Sequence, residues 1–149
     1  MFLADPANRL VYTVQAGVLL AVPYGVGVVG DVAQGGREAN LREAAKDPRW
    51  DGRQVDAVNG KFRTRGVLAV PMLRTGGGLV GVVQLVNKKR QPGAVKGSRA
   101  SFSPADSRRL KRLLPALAEI VARGGVLEEL QLQHRRNLLG EAAAGVPGQ

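Results

Sequence analysis

Two apolar runs, RGVLAVPML (residues 65–73) and GLVGVVQLVNK (residues 78–88), are joined by the short polar and glycine-rich stretch RTGGG. Valine and leucine dominate both runs, and the stretch from Thr75 to Gly78 supplies the positive-φ freedom of a tight hairpin, so the segment reads as an antiparallel strand pair. On the second strand Val80, Val82, Gln84 and Val86 share one face, and Leu79, Gly81, Val83 and Leu85 share the other. Both faces are largely apolar, which predicts a central strand covered on each side. Gln84 is the exception. An unpaired amide in a buried face costs about 1–3 kcal/mol, so Gln84 must either find an internal partner or face a pocket.

A second constraint comes from residues 10–30, a run of 21 residues without a charge. It is long enough to span a bilayer, and it also contains G-x-G-x-x-G at Gly25, Gly27 and Gly30. Neither reading survives the punctuation. Gly17, Pro23 and the glycines from Gly25 onward break the run into two short strands over residues 10–14 and 18–22, separated by Gln15-Ala16-Gly17. A dinucleotide turn needs a long crossover helix and then a parallel strand that ends in an acid. Here a helix opening at Val28 meets Gly35-Gly36 within two turns, and REANLREAAKDPRWDGR (residues 37–53) offers no apolar strand. No basic and then apolar leader stands at Met1, so the expectation is a soluble, cytoplasmic chain with no membrane span.

From residue 103 a long helix is signalled by Ser103 as N-cap, Pro104 at the first helical position and Asp106 three residues after the cap. Leu110, Leu113, Leu114, Leu117, Ile120 and Val121 recur at helical spacing and predict one buried face, with a kink at Pro115. Gly124-Gly125 interrupts the pattern. A helical extension then runs over residues 124–139, with Leu127, Leu130, Leu138 and Leu139 available to a partner and His134 on a solvated face, and residues 140–149 have the composition of a disordered tail. The fold class is therefore mixed α/β, of the α+β kind: a central antiparallel sheet flanked by helices, with a long C-terminal helix.

Composition removes several chemistries. The chain has no cysteine, which excludes disulfides, thiolate catalysis, thiolate metal sites and a thioether-linked chromophore, and its single histidine excludes a histidine metal cluster within one copy. No catalytic and no metal-ligating set is therefore assigned. Lys and Arg outnumber Asp and Glu by 22 to 12, for a net charge of +10. These basic residues are scattered, with one denser zone over residues 88–112, and no groove-reading module accompanies them, so nucleic-acid binding is not expected as the main function.

Six blocks of the sequence, MFLADPANRLVYTVQAG, VPYGVGVVGDVAQGG, NLREAAKDPRWDG, FRTRGVLAVPML, GVVQLVNKK and SFSPADSRRL, are similar in order and spacing to the GAF domain. The likeness is in particular to the GAF domains of cyclic nucleotide phosphodiesterases and related adenylate cyclases. The resemblance covers residues 1–123. It implies that the glycine-rich turn leads from a strand into the lid of a small-molecule pocket. It also implies a helix and a strand upstream of Phe2-Leu3-Ala4-Asp5-Pro6, so the expectation is a fragment of a longer signalling protein with its first helix and strand missing. The family signature, Asn-Lys and then Phe-x-x-x-Asp-Glu, is met by Asn87, Lys88, Phe102 and Asp106, with Ser107 in place of the Glu. The resemblance implies a structural Lys88–Asp106 ion pair that ties a strand end to a helix start.

For the ligand, the resemblance implies cyclic GMP or cyclic AMP (cGMP or cAMP), with no required cofactor. Carried over residue by residue, the implied binding positions are Val28, Val29, Trp50, Asp51, Asn59, Thr64 and Gln84. Gln15-Ala16 stands where some members present Phe-Asp to the purine, and the lid lacks an acid near Ala57; Trp50 or Tyr24 could stack on a base. The functional expectation is a regulatory domain that senses a small molecule and signals through its C-terminal helix to an effector domain in a longer protein. The alternative is a ligand-free dimerisation scaffold with a degenerate pocket, pairing as a homodimer through Leu113, Leu117, Ile120 and the helix beyond Gly125. Phosphodiesterase or cyclase activity would belong to another domain.

Overall fold

The computed structural model describes residues 1–52, 62–95 and 100–145. Strands β1 (Phe2–Asp5), β2 (Leu10–Gln15) and β3 (Val18–Pro23) form a meander that leads into helix α1 (Gly27–Gly35). A short strand β4 (Ala39–Leu41), a 3-10 turn (Ala44–Lys46) and the hairpin strands β5 (Val67–Leu73) and β6 (Leu79–Val86) follow. Helices α2 (Pro104–Arg123) and α3 (Val126–Ala144) close the chain. The strands make one antiparallel sheet in the order β3-β2-β1-β6-β5-β4, which is the α+β class read from the sequence.

Alternation along the inner strands divides the core into two layers. Phe2, Ala4, Val11, Val67, Ala69 and Val82 pack with Val28, Val29, Val32 and Ala33 of α1. On the opposite face Leu3, Leu68, Val70 and Met72 pack with Phe102 and with Leu114 and Ala118 of α2. Covering an inner strand on both sides is what its continuous apolar sequence requires. Each fully buried side chain such as Leu68, with 0% of its surface exposed, is worth about 1.5–3 kcal/mol.

One detail of the facing differs from the strict alternation. Met72 pairs with Gly81 and Leu73 with Leu79, so Val80 is an extra residue in the ladder. This bulge turns Val80 toward the α2 layer and Leu79 toward the α1 layer with Val82 and Val86. Gly81 sits beside it because the strands approach closely there; a Cβ would lie 2.2 Å from the Phe2 carbonyl oxygen.

Other sequence expectations are corrected by packing. β1 is hydrogen-bonded on both sides, to β2 and β6, and is an inner strand of the sheet. Residues 37–53 do contain a strand, β4, whose Ala39 and Leu41 are buried while Asn40 is exposed; three residues are too few to show a period of two in the sequence. On α2 the seam is Leu110, Leu114, Leu117, Ala118 and Val121. Leu113 and Ile120, each one residue ahead of that seam and therefore about 100° round the helix, are 68% and 69% exposed. The helix runs continuously through Pro115. α3 reaches Ala144, five residues into the expected tail, because Glu141-Ala142-Ala143-Ala144 are good helix formers and the lone Gly140 costs only about 1 kcal/mol. His134 on α3 lies with its ring 5.4 Å from that of Tyr12 instead of standing free in solvent. No described helix is long and apolar enough to cross a membrane.

Candidate functional site

The glycine motif makes the turn from β3 into α1. Gly25 and Gly27 hold φ of +81° and +65°, in the left-handed region that glycine tolerates. Gly30 is needed for a different reason. A Cβ there would lie 2.3 Å from the Pro23 carbonyl oxygen, so the third glycine lets helix and strand touch. The helix then begins at Gly27 with Val26 as N-cap and no side-chain cap. Its first N–H groups therefore keep the partial positive charge of a helix start.

That uncapped end faces a cavity of about 90 Å³, whose walls come from Phe2, Gln15, Leu20, Val22, residues 26–29, residues 49–51 and Gln84. Of the residues implied by resemblance, Val28, Val29, Trp50, Asp51 and Gln84 meet here. Gln84 takes the second of its two destinations, the pocket; its side chain has no hydrogen-bond partner among the described residues. Thr64 does not join them. It is buried and lies on the wall of a separate cavity at the far end of β5 and β6. Asn59 lies outside the described residues. Tyr24 also stays out of the walls, its ring covered by the Arg9 guanidinium at 5.3 Å.

Two polar wall residues have no counterpart in the implied binding set. Gln15, which marks a loss of aromatic and acid by comparison with the family, puts a second amide into the cavity. Arg49 grips the wall segment: its guanidinium donates to Asp47 through Nε (2.9 Å) and Nη2 (2.8 Å), and to Asp31 on α1 through Nη1 (2.7 Å). The hydrogen bonds from Arg49 hold the Asp47 carboxyl below its usual pKa and push the Arg49 pKa up. The sequence Asp-Pro-Arg hints at the local half of this clamp, whereas the contact to Asp31 is visible only in three dimensions.

The signature residues gather where β6 ends and α2 begins. Asn87, at φ +50°, accepts from the N–H groups of Arg65 (2.7 Å) and Gly66 (3.3 Å) and donates to the Arg63 carbonyl (2.8 Å). It staples the segment that leads into β5. Lys88 Nζ stands 2.6 Å from Asp106 Oδ2, which also accepts from the Ser103 N–H (2.7 Å) and hydroxyl (2.9 Å) in a capping box. The hydrogen bond from Lys88, with those from Ser103, lowers the Asp106 pKa to about 2. Phe102 is buried against the α2 layer, and its carbonyl accepts from Asn40. Ser107, where the signature has Glu, is buried and donates to Glu38 (2.5 Å), which also pairs with Lys111. A carboxylate thus reaches this position from the segment before β4. Among the described residues no group of His, Cys, Asp and Glu is placed to hold a metal ion.

Comparison with known proteins places this architecture. The family model of the GAF domain matches residues 2–123. A cGMP-specific 3',5'-cyclic phosphodiesterase of Drosophila erecta is 30% identical over 118 residues, 79% of this chain and 10% of that protein. The chain thus spans about a tenth of the length of that relative. The GAF domain of an Acinetobacter phosphoenolpyruvate-protein phosphotransferase superposes with a TM-score of 0.61 at 21% identity, covering 86% of this chain and 72% of that one. A free methionine-R-sulfoxide reductase from Neisseria meningitidis superposes at 0.52 and 20% identity, covering 80% and 61%, so the same fold also carries an enzyme. At these identities the structural likenesses speak to fold alone. With a family match over more than three quarters of its length and the sheet order and signature contacts described above, the chain belongs to the GAF domain family.

Proposed function

We propose that this GAF domain is a regulatory sensor that binds a cyclic nucleotide in the cavity under the α1 N-terminus. The observation that carries the reading is the convergence on one apolar-walled cavity of an uncapped helix start, the unpartnered amide of Gln84 and the indole of Trp50. A helix start receives a phosphate, an amide can read a base edge, and an indole can stack on a purine. The cGMP specificity in the relative's name points to the same ligand class.

The cavity is small. Its 90 Å³ is well below the ~300–1,000 Å³ of sites for ligands of this size. Binding therefore requires residues 49–51 to swing away, releasing the Arg49 clamp on α1. The displacement is passed through β1 and β6 to α2 and α3 on the opposite face, and from there to an effector domain of the longer protein. Cyclic nucleotide turnover or synthesis is assigned to that domain.

Thermal melts with cyclic GMP and cyclic AMP test this. At about a hundred times its dissociation constant a ligand stabilises by about 2.7 kcal/mol, a shift of several degrees for a domain of this size. The shift is expected with one nucleotide and is lost in Trp50→Ala and Gln84→Ala. Two unmoved melts would overturn the reading in favour of a homodimer scaffold. That second reading has its own observation, the pair Leu113 and Ile120 exposed one heptad apart on α2, and sedimentation equilibrium reads it directly.

A further inference from the structure

A larger cavity lies elsewhere. It measures about 730 Å³ and lies between the turn after β4, the segment entering β5, and the end of β6. Among the described residues, five cationic side chains, Arg42, Arg63, Arg65, Lys88 and Arg90, stand on its walls with one carboxylate, Glu43. Lys88 is neutralised by Asp106 and Glu43 bonds Lys46, whereas none of the four arginines is in an ion pair among the described residues.

The cations are positioned, not scattered. Thr64 is buried, so Arg63 and Arg65 on either side of it both turn outward, and the three side-chain hydrogen bonds of Asn87 to this stretch fix its backbone. The Arg65 carbonyl accepts from the Ala44 N–H at 2.6 Å, which ties the Arg42 segment to the same frame. Arginine at four points presents forked donors to anionic oxygens. A single phosphate would leave much of this charge uncompensated. Besides Thr64, Gly66 and Asn87, the other described wall residues are apolar: Ala44, Ala45, Ala100 and Phe62, which is 40% exposed.

We infer that this cavity is a second binding site, taking a small polyphosphate of the nucleoside di- or triphosphate class, with the phosphates on the arginines and the base against Phe62. The cations converge on a concavity from three chain segments, which suits a compact polyanion; a nucleic-acid polymer is held instead by a stripe that tracks its backbone. The inference is independent of the cyclic-nucleotide reading, since the two cavities have no wall residue in common.

Isothermal titration of the chain with ATP in EDTA tests it. Saturable one-to-one binding is expected, weakened at least tenfold in Arg63→Gln/Arg65→Gln and in Arg90→Gln, and unchanged in Gln84→Ala. Circular dichroism melts of the arginine variants should match the parent chain, because these side chains are exposed. Tripolyphosphate should displace ATP at a higher concentration, and neither adenosine nor cyclic GMP should displace it. Absence of saturable ATP binding at 0.1 M salt, or full affinity in the arginine variants, would overturn the site. Tripolyphosphate binding as tightly as ATP would overturn the nucleoside assignment, and a single-stranded RNA ten-mer binding tenfold tighter than ATP would show a polymer surface instead.

Discussion

Helices α2 and α3 are almost equal in length, 20 and 19 residues, and they are held by opposite means. α2 starts with a capping box locked by Lys88 and buries Ser107, Leu114 and Ala118. α3 starts after Gly125 with no side-chain cap and has no buried residue. Leu127 and Leu130 lean on the α2 layer, and one polar contact goes deep: Gln131 Nε2 donates to Asp5 Oδ2 at 2.7 Å. Asp5 is 1% exposed, and burial alone would raise its pKa. Hydrogen bonds from the Asn8 side chain, Gln131, the Asn8 N–H and, at a long 3.5 Å, Tyr12 more than offset this and hold it low. The contrast separates two kinds of element. An apolar seam with a charged lock belongs to the cooperative core, whereas a helix tied by a few contacts opens at a fraction of the global cost.

The largest effect is expected where the seam is cut. Leu114 is 3% exposed, and Leu114→Ala should cost about 2–5 kcal/mol, lowering the melting temperature by roughly 10 °C. The matched change on α3, Leu139→Ala at a side chain 71% exposed, should stay within about 0.5 kcal/mol. Thermal melts of the two variants compare the helices directly. Equal losses would erase the distinction.

A smaller effect is expected at the α2 lock. The Asp106 pKa is depressed in the folded state, so its contribution is complete above the ordinary carboxylate value near 3.8 and is lost as pH falls toward about 2. Asp106→Ala also removes the capping partner of Ser103, and together these should cost about 1–2 kcal/mol at neutral pH. Urea melts of the parent and variant at a series of pH values should converge between about pH 4 and pH 2. The Asp5 carboxyl, also held below its usual pKa, titrates in both proteins and cancels. Curves that remain parallel would mean that the cap contributes without its charge.

How much of this was legible in the sequence follows from how local each feature is. The capping box at Ser103 and Asp106 and the hairpin at residues 74–78 were readable because all their partners lie within a few residues. The Val80 bulge was not, since it depends on how Leu73 meets Leu79 across the turn. Strand β4 was hidden because its burial comes from pairing with β5, Ala39 against Ala69. Leu113 and Ile120 carry the same hydrophobic periodicity as Leu114 and Val121, and only the direction of the seam separates them. In the candidate site the resemblance pointed to Val28, Val29, Trp50, Asp51 and Gln84, which do share a wall. It missed Arg49, whose anchor Asp31 is 18 residues away, and it gave no sign that Asn87 would staple Arg63 and Arg65 into a second cavity.

The smallest effect tests whether α3 is a separable unit. Gln131→Ala removes one donor from a buried carboxylate that keeps its two Asn8 bonds, so the global loss should be about 1 kcal/mol. Hydrogen exchange should show more than the melt does. Amides of α3 are expected to exchange severalfold faster in the variant, while those of β5 and β6 keep their protection. Loss of protection throughout the sheet would show that α3 is welded to the core through Asp5, and a signal could then leave the domain only by moving β1 with it. Selective loss on α3 would identify the Gln131–Asp5 contact as the point where the sheet releases its last helix, because Asp5 sits on β1, next to the strand whose Gln84 faces the small cavity.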